Sequence, residues 1–313
     1  MFRLLNRASP SSSVALTPKF YPDSYNEPHQ TDMAVILVYF NASRSVRIAQ
    51  NILLVKQYLD NANIPCYIGE VSIDNSPFLF KECSNVFHYK TDDYMFYKEN
   101  LINLVESQIP SSYTKLCTMD GDVFFEDPNW YSALSIILDD ADICQPFHTA
   151  KWLNLENNTI IKTQPTCVIG TNGHPGFAWA FKRTWLSKHK IPDFAIIGSG
   201  DTTFNECVIA NKPSSVNYLT DEQKIYTGTL TSVPIVKYLN TTIYHLYHGS
   251  LADRRYVSRH AMLTKLLLSY QFKSITDVIE YNDVGLRCWK EPFKQPMNEF
   301  IKTYLINRND DGI

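Results

Sequence analysis

Short apolar runs alternate with amphipathic segments along this chain from about residue 33 onward. Residues 34–40 form a continuous apolar run of the kind that a strand buried on both faces shows. Residues 44–60 follow with apolar side chains at helical spacing, and residues 64–72 form a second apolar run. Strands and helices that alternate in this way predict a parallel sheet with right-handed crossover connections.

The alternation continues towards the C-terminus and becomes mixed after residue 122. We predict further strands at residues 86–89, 113–119, 141–147 and 176–181, and helices at residues 94–108, 203–210, 254–270 and 297–306. Residues 1–32 are rich in Ser, Pro, Asn and Asp without periodicity, and they predict a loose arm. Because no internal repeat or linker is visible, we expect one α/β domain at residues 33–290 and a helical tail at residues 291–313.

Composition and charge restrict the partners of the protein. Its formal net charge is −3 at pH 7 and it has no long basic run, which argues against a protein that binds polymeric nucleic acid. A single nucleotide bound through a metal ion stays compatible with this charge. The sequence has no apolar run of membrane-spanning length and no secretion signal at its N-terminus, so we expect a cytoplasmic protein or one on the cytoplasmic face of a membrane.

Two aspartates, Asp120 and Asp122, come directly after the predicted strand at residues 113–119. Ligands of parallel sheets bind beyond the carboxyl ends of the strands, and these carboxylates are expected at such an end. Two like charges so close together in a partly dry site destabilise each other unless a cation lies between them. A hard divalent ion with oxygen ligands would meet this need and could bridge two phosphates of a nucleotide. Gly121 is expected to let the backbone approach such a ligand closely.

The segment around these aspartates also resembles a known family. Residues 115–130 (KLCTMDGDVFFEDPNW) are similar to the metal-binding segment of the GT-A-fold glycosyltransferases, and in particular to a poorly described group in which YKEN, here residues 97–100, precedes it. The likeness spans roughly residues 34–290. It continues in the expected order through GHPGFAWAFKR at residues 173–183, IIGSGDTTF at residues 196–204, HLYHGS at residues 245–250 and the nearby RRY at residues 254–256.

This resemblance implies a fold and a reaction. The fold would be a single GT-A domain, Rossmann-like and built to bind a nucleotide sugar, with a mixed, mainly parallel central sheet and a C-terminal helical elaboration. The reaction would transfer a sugar from a nucleotide-sugar donor to a hydroxyl of a glycan, protein or small-molecule acceptor. UDP is the expected donor nucleotide, because it is the most frequent one in the family.

The resemblance also implies roles for individual residues. Asp122, with Asp120 acting through water or the ribose, would hold Mn²⁺ or Mg²⁺ on the donor diphosphate, and His248 or His245 would complete the metal shell. Asp201 resembles the acidic residue that follows a Gly-rich turn in inverting members and acts there as general base on the acceptor hydroxyl. The implied reaction is therefore an inverting one.

Other candidate residues have two interpretations each. Tyr39, Phe40 and Asn41 are expected at the end of the first strand, where GT-A enzymes hold the nucleobase and ribose, but the two aromatic rings could equally belong to the core. Lys98 could reach the donor phosphates or could be a solvated lysine on a helix. Gly173 fits a close approach of the backbone to a ligand, and a plain turn explains it as well.

The histidine and arginine residues near these motifs also have two interpretations each. His174 could line the sugar pocket or be a loop residue without a role. One of Arg254, Arg255 and Arg259 could neutralise phosphate, while at least one of the three is expected on a solvated helix face.

A phosphatase is the strongest rival to the transferase. Phosphatases of the haloacid dehalogenase type also carry an Asp-x-Asp motif after an apolar strand, and Asp120 would then be the nucleophile and Asp122 the acid/base. That strand normally comes first in the phosphatase sheet, whereas at least three strand candidates precede it here. A non-catalytic binding module and a nucleotidyltransferase are two weaker alternatives; the latter would need a Gly-rich, basic loop after the first strand, and residues 40–45 do not form one.

Overall fold

The structure of the protein, a computed structural model, describes residues 32–170, 172–250, 252–256 and 258–312. Almost all of the predicted N-terminal arm therefore lies outside the described residues. Within the described residues the chain forms thirteen strands and eight α-helices. The strands are β1 (Met33–Tyr39), β2 (Cys66–Ile73), β3 (Val86–Thr91), β4 (Lys115–Met119), β5 (Val123–Phe125), β6 (Ile143–Gln145), β7 (Thr149–Leu153), β8 (Ile160–Pro165), β9 (Ala178–Lys182), β10 (Val236–Tyr238), β11 (Thr242–His245), β12 (Ile279–Tyr281) and β13 (Arg287–Trp289). The helices are α1 (Val46–Asn61), α2 (Lys98–Glu106), α3 (Trp130–Asp140), α4 (Arg183–His189), α5 (Gly200–Phe204), α6 (Thr220–Gly228), α7 (Ser258–Ser269) and α8 (Lys294–Ile306).

A seven-stranded sheet forms the centre of the fold, in the order β10-β6-β9-β4-β1-β2-β3. Strands β1, β2, β3 and β4 pair in parallel, β6 pairs in parallel with β10, and β9 runs antiparallel to both β4 and β6. The sheet is thus mixed and mainly parallel, and helices follow it at the C-terminus. These features confirm the predicted α/β fold class.

Strand β1 shows why this sheet is buried on both faces. Met33, Val35 and Leu37 pack on one side with residues of α1, whereas Ala34 and Ile36 pack on the other side with residues of α2. Successive side chains of a strand point to opposite faces, so a continuous apolar run supplies both cores at once. The predicted strand at residues 34–40 is confirmed, although β1 begins and ends one residue earlier.

A second sheet of four short strands, in the order β5-β11-β7-β8, was not predicted. Strand β5 begins right after Asp122 and pairs antiparallel with β11, with Val123 opposite His245. Strands β5 and β11 have only three and four residues and are too short to show a period, which is why the sequence pattern does not reveal them. The predicted helix at residues 203–210 is in fact α5 followed by a π-helical turn, Asn205–Ile209.

The tail helix α8 packs into the body of the protein. Met297 and Ile301 of α8 lie in the same buried cluster as Leu263 and Leu267 of α7. The division into an arm, a domain and a tail stays a prediction. No helix among the described residues is both long and apolar enough to cross a membrane, and the cytoplasmic location stays a prediction from the sequence.

Glu106, at the end of α2, ties this helix to α4, and replacing it with Gln should destabilise the fold. Its buried carboxylate accepts hydrogen bonds from Arg183 Nε (3.2 Å), Ser187 Oγ (2.9 Å) and Lys190 Nζ (2.5 Å). Burial alone would raise the pKa of Glu106, but these partners lower it below its usual range. We expect Glu106→Gln to lower the free energy of unfolding by about 1–3 kcal/mol, the cost of losing hydrogen bonds to a charged group.

The pH dependence of this loss follows from the sign of the pKa shift. A carboxylate whose pKa is lowered by folding stabilises the protein above its unfolded-state pKa, and this contribution disappears as the pH falls through the folded-state pKa. The unfolding free energies of wild type and Glu106→Gln, measured in urea, should therefore converge below about pH 4. Glu82→Gln, at an exposed position, is the matched control; an equal loss there, or a difference that is constant with pH, would contradict the assignment.

Candidate functional site

A cavity of about 700 Å³ lies beyond the carboxyl ends of β1 and β4. Its walls include Tyr39 at the end of β1, Asp120 and Asp122 after β4, Lys98 at the start of α2, and Asp201 in α5. The cavity therefore collects most of the candidate residues in the place where open α/β sheets bind their ligands.

Asp122, His245 and His248 form a compact group on one wall. One ligand atom from each residue lies within 4.8 Å of the others. Asp122 Oδ2 is 2.7 Å from His248 Nε2 and 3.6 Å from His245 Nε2, and the two Nε2 atoms are 3.1 Å apart. One carboxylate and two imidazoles at this spacing are a donor set that a divalent transition ion uses.

Strand pairing brings these three residues together. Strand β5 follows Asp122 directly, and its pairing with β11 places His245 opposite Val123. The backbone N–H of Leu246 donates to the carbonyl oxygen of Asp122 at 2.8 Å, so this pairing extends to the aspartate itself. His248 then returns to the group three residues further along the chain.

The protonation states of the group suit a metal ion. Burial opposes ionisation of Asp122, but His245 and His248 hold the pKa of this carboxyl below its usual range. Burial lowers the pKa of His245 to about 3, and burial followed by the neighbouring Arg254 lowers that of His248, so both imidazoles are neutral at pH 7. Asp122 Oδ1 is buried and has no hydrogen-bond partner among the described residues. An ionised carboxylate with an unpartnered oxygen beside two neutral imidazoles fits a divalent cation.

Asp120 does not belong to this group, because Lys98 binds it instead. Lys98 Nζ lies 2.5 Å from Asp120 Oδ1 and 2.9 Å from Asp201 Oδ2, so one ammonium bridges the two carboxylates. Burial favours the neutral amine, but the two aspartates raise the pKa of Lys98 above its usual value. The interpretation of Lys98 as a solvated lysine is wrong, since its side chain is only 12% exposed.

Backbone geometry at a Gly-rich turn sets the position of Asp201. Ser199 precedes α5 in the left-handed region, with φ 75°, and Asp201 lies in the first turn of that helix. A side chain at position 200 would collide with the Glu99 carboxylate, and one at position 176 would come within 3.0 Å of Asp201 Oδ2. The two glycines therefore let Asp201 sit between α2 and the loop before β9.

The segment at the end of β1 also lines the cavity. Tyr39, Phe40 and Asn41 are all among its walls. Phe40 packs edge-on against Phe96 with ring centroids 4.8 Å apart, while the Asn41 amide donates to Tyr39 Oη at 3.0 Å. Its rings thus pack into the protein and also line the cavity, and contact with a nucleobase and ribose stays a prediction.

The candidate residues Gly173, His174 and Gly121 differ in what they contact. Gly173 is not part of the cavity wall; its backbone packs against Thr166 and Cys167, where a β-carbon would collide. A turn therefore explains Gly173 better than a ligand does. His174 does line the cavity. Gly121 lines the cavity as well, and a β-carbon there would lie 2.8 Å from the side chain of Ile52 in α1. Its close approach to a ligand stays a prediction.

Sequence reasoning missed the part of the site that comes from the C-terminus. Arg308 and Asp310 line the cavity and pair with each other at 3.2 Å, and Ser43 Oγ donates to Asp310 at 2.9 Å. Asp311 accepts from the backbone N–H of Arg47 at 2.9 Å, close to the start of α1. The local pattern NRNDDG resembles an ordinary surface turn, so no local signal could have found these residues.

No family model and no curated protein matches the sequence, whereas solved structures match its shape. A mutant β-1,4-galactosyltransferase 7 from Drosophila, in complex with manganese, UDP-Gal and xylobiose, is 10% identical with a TM-score of 0.39, covering 86% of this chain and 98% of that chain. Glucosyl-3-phosphoglycerate synthase from Mycobacterium tuberculosis, in complex with Mg²⁺ and UDP, is 9% identical with a TM-score of 0.39, covering 85% and 93%. A 4-diphosphocytidyl-2C-methyl-D-erythritol synthase from Anaerococcus prevotii is 8% identical with a TM-score of 0.34, covering 67% and 86%. These likenesses assign no residue of the site, which rests on its own geometry.

Proposed function

We propose that this protein is a metal-dependent glycosyltransferase that moves a sugar from a nucleotide-sugar donor to an acceptor hydroxyl. One observation carries the proposal: a three-residue group that could hold a metal ion lines the same cavity as a carboxylate that could act as a base. The metal site consists of Asp122, His245 and His248, and the base is Asp201. Sugar transfer from a diphosphate donor needs both, because the leaving group carries charge and the attacking hydroxyl must lose a proton.

The donor diphosphate is assigned to the metal side of the cavity. A divalent cation held there would offset the charge that develops on the departing diphosphate. Two imidazole nitrogens in the donor set favour Mn²⁺ over Mg²⁺, which prefers an all-oxygen shell. The segment of Tyr39 and Asn41 would then contact the nucleoside, for which we propose uridine.

Asp201 is assigned as the general base of an inverting reaction. The acceptor hydroxyl gives its proton to the Asp201 carboxylate while its oxygen forms a bond to the anomeric carbon. The bond from that carbon to the diphosphate breaks, and the diphosphate leaves with the electron pair. Lys98 holds Asp201 in position through its ion pair. A single displacement of this kind inverts the anomeric configuration.

The phosphatase alternative is not favoured. Strand β4 follows three other strands of its sheet along the chain, which is the order that the sequence had suggested. Asp122, which would be the acid/base of a phosphatase, lies instead against two histidines that a phosphatase mechanism does not use, 2.7 Å from His248 and 3.6 Å from His245.

A panel of nucleotide sugars tests the proposed function. We expect UDP-sugars with Mn²⁺ to raise the melting temperature and to be hydrolysed slowly in the absence of an acceptor, whereas ADP-, CDP- and GDP-sugars should do so less. Binding should weaken when Mn²⁺ is removed by a chelator and recover when it is restored. If no nucleotide sugar binds with any divalent ion while a phosphate monoester is hydrolysed, the protein is a phosphatase and the proposal fails.

A further inference from the structure

Arg259 is a buried cation in the wall of the cavity without an acidic partner. Only 4% of the residue is exposed, and no carboxylate of the described residues lies within ion-pairing distance of its guanidinium. Nη1 donates to Tyr304 Oη at 3.0 Å and Nη2 to Ser199 Oγ at 2.5 Å, and both partners are neutral hydroxyls. Nε is buried and makes no hydrogen bond within the same residues. A buried charge of this kind costs stability unless an anion meets it.

Several other charged groups of the cavity already have an ionic partner, whereas Lys162 lies over the Trp152 ring and Glu206 accepts from the backbone N–H of Ser215. Asp120 and Asp201 share Lys98, and Arg308 pairs with Asp310. This leaves Arg259 and Arg254 as guanidinium groups without a carboxylate partner within the part of the chain that the structure describes.

Arg254 lies on the metal side, because its Nη2 is 2.6 Å from His248 Nε2. A divalent cation with the Asp122 carboxylate and a doubly charged diphosphate would carry one net negative charge. Arg254, adjacent to the metal group, is placed to balance that charge. The positive charge of Arg259 then remains for an anion that is not part of the donor diphosphate.

The loop that carries the base also holds Arg259. Gly198 has φ 89°, and a β-carbon there would lie 3.2 Å from Arg259 Nη1, so glycine lets the loop fold closely around the guanidinium. Ser199, two residues before Asp201, bonds to both Arg259 and His260. An anion on Arg259 would therefore lie in the same cavity as Asp201, against the loop that leads into α5.

We propose that Arg259 binds an anionic group of the acceptor, a phosphate or a carboxylate, whose hydroxyl is activated by Asp201. This inference rests on the proposed function and specifies its acceptor class: a hydroxyl compound that also carries a negative charge. The planar guanidinium fork binds both phosphate and carboxylate in a bidentate manner. The Arg259 guanidinium therefore favours a negatively charged acceptor, because a neutral sugar would leave the buried cation without a counter-ion.

Calorimetric titration with methyl phosphate and, separately, acetate tests this assignment. The protein is first saturated with Mn²⁺ and UDP so that the donor side is filled, and potassium chloride at equal ionic strength is the reference. We expect at least one anion to bind the wild-type protein, and the better of the two identifies the group. Arg259→Gln should weaken that binding by more than about tenfold, because a charge-assisted hydrogen-bond pair is lost. Arg255→Gln, at an exposed neighbouring position, should leave it unchanged.

Arg259→Lys is measured in parallel because the buried guanidinium could be needed for folding. It keeps the charge but loses the fork, so we expect weaker anion binding with unchanged affinity for UDP and Mn²⁺. If neither anion binds the wild type beyond chloride, or if the Arg259 variants lose UDP affinity to the same extent as anion affinity, the inference is overturned. A wild-type protein that binds methyl phosphate or acetate but no nucleotide would instead overturn the proposed function alone.

Discussion

Asp201→Asn is expected to lower the rate of sugar transfer by about 10²–10⁴-fold, the range that a positioned general base contributes. The substitution keeps the shape of the side chain but removes its ability to accept the hydroxyl proton. The dissociation constant of the donor should stay nearly unchanged, because the base acts in the transition state and not on the bound donor. Lys98 retains its ion pair with Asp120, so the position of α2 should be preserved.

Steady-state kinetics and donor titration of the same variant separate the possible roles of Asp201. Asp221→Asn, at an exposed position in the first turn of α6, is the matched control and should transfer sugar normally. A loss of donor affinity comparable to the loss of rate would instead make Asp201 a residue of the donor site. A rate within a few-fold of wild type would remove it from the mechanism altogether.

Asp122→Asn is expected to weaken Mn²⁺ binding by more than about a hundredfold, since even the loss of a residue that only supports a metal ligand costs 10–100-fold. The amide keeps the volume of the carboxylate but lacks the charge that attracts the cation. Binding of UDP should then no longer depend on Mn²⁺. Electron paramagnetic resonance of free Mn²⁺ measures the first effect and calorimetry of UDP the second.

An exposed aspartate gives the control for this metal prediction. Asp60→Asn removes a carboxylate that is 55% exposed and pairs with Lys56 four residues before it, so Mn²⁺ binding should be unchanged. Unchanged Mn²⁺ affinity in Asp122→Asn would show that the cation, if one binds, is held elsewhere in the cavity.

Local pattern was sufficient to predict the core of the central sheet. The apolar runs at β1, β2 and β4 are strand signals in themselves, because a strand buried on both faces needs an unbroken apolar sequence. Helix α1 could equally be predicted from the helical spacing of its apolar residues. Ser45 caps this helix by accepting a hydrogen bond from the backbone N–H of Ile48 at 3.1 Å. The short strands β5 and β11 escaped detection because three or four residues carry no period.

Only part of the candidate site could be predicted from the sequence. Asp120 and Asp122 could be placed at a strand end from the sequence, and Asp120 was expected to act through water or the ribose. In the structure the two carboxylates, only two positions apart, face different partners: Lys98 binds one and the histidines bind the other. A one-residue spacing does not determine the direction of each side chain once a turn interrupts the strand.

The sequence by itself determined that the chain forms a mainly parallel sheet and that Asp120 and Asp122 follow the end of one of its strands. Apolar periodicity and strand ends are local properties. Tertiary structure alone decided which residues meet there. His245 reaches Asp122 through the pairing of β5 with β11, and Lys98 reaches Asp201 across 103 positions of chain. The C-terminal Asp310 joins the cavity only because the chain folds back after α8 to Ser43. Such contacts depend on how distant segments pack together, and no local pattern records that packing.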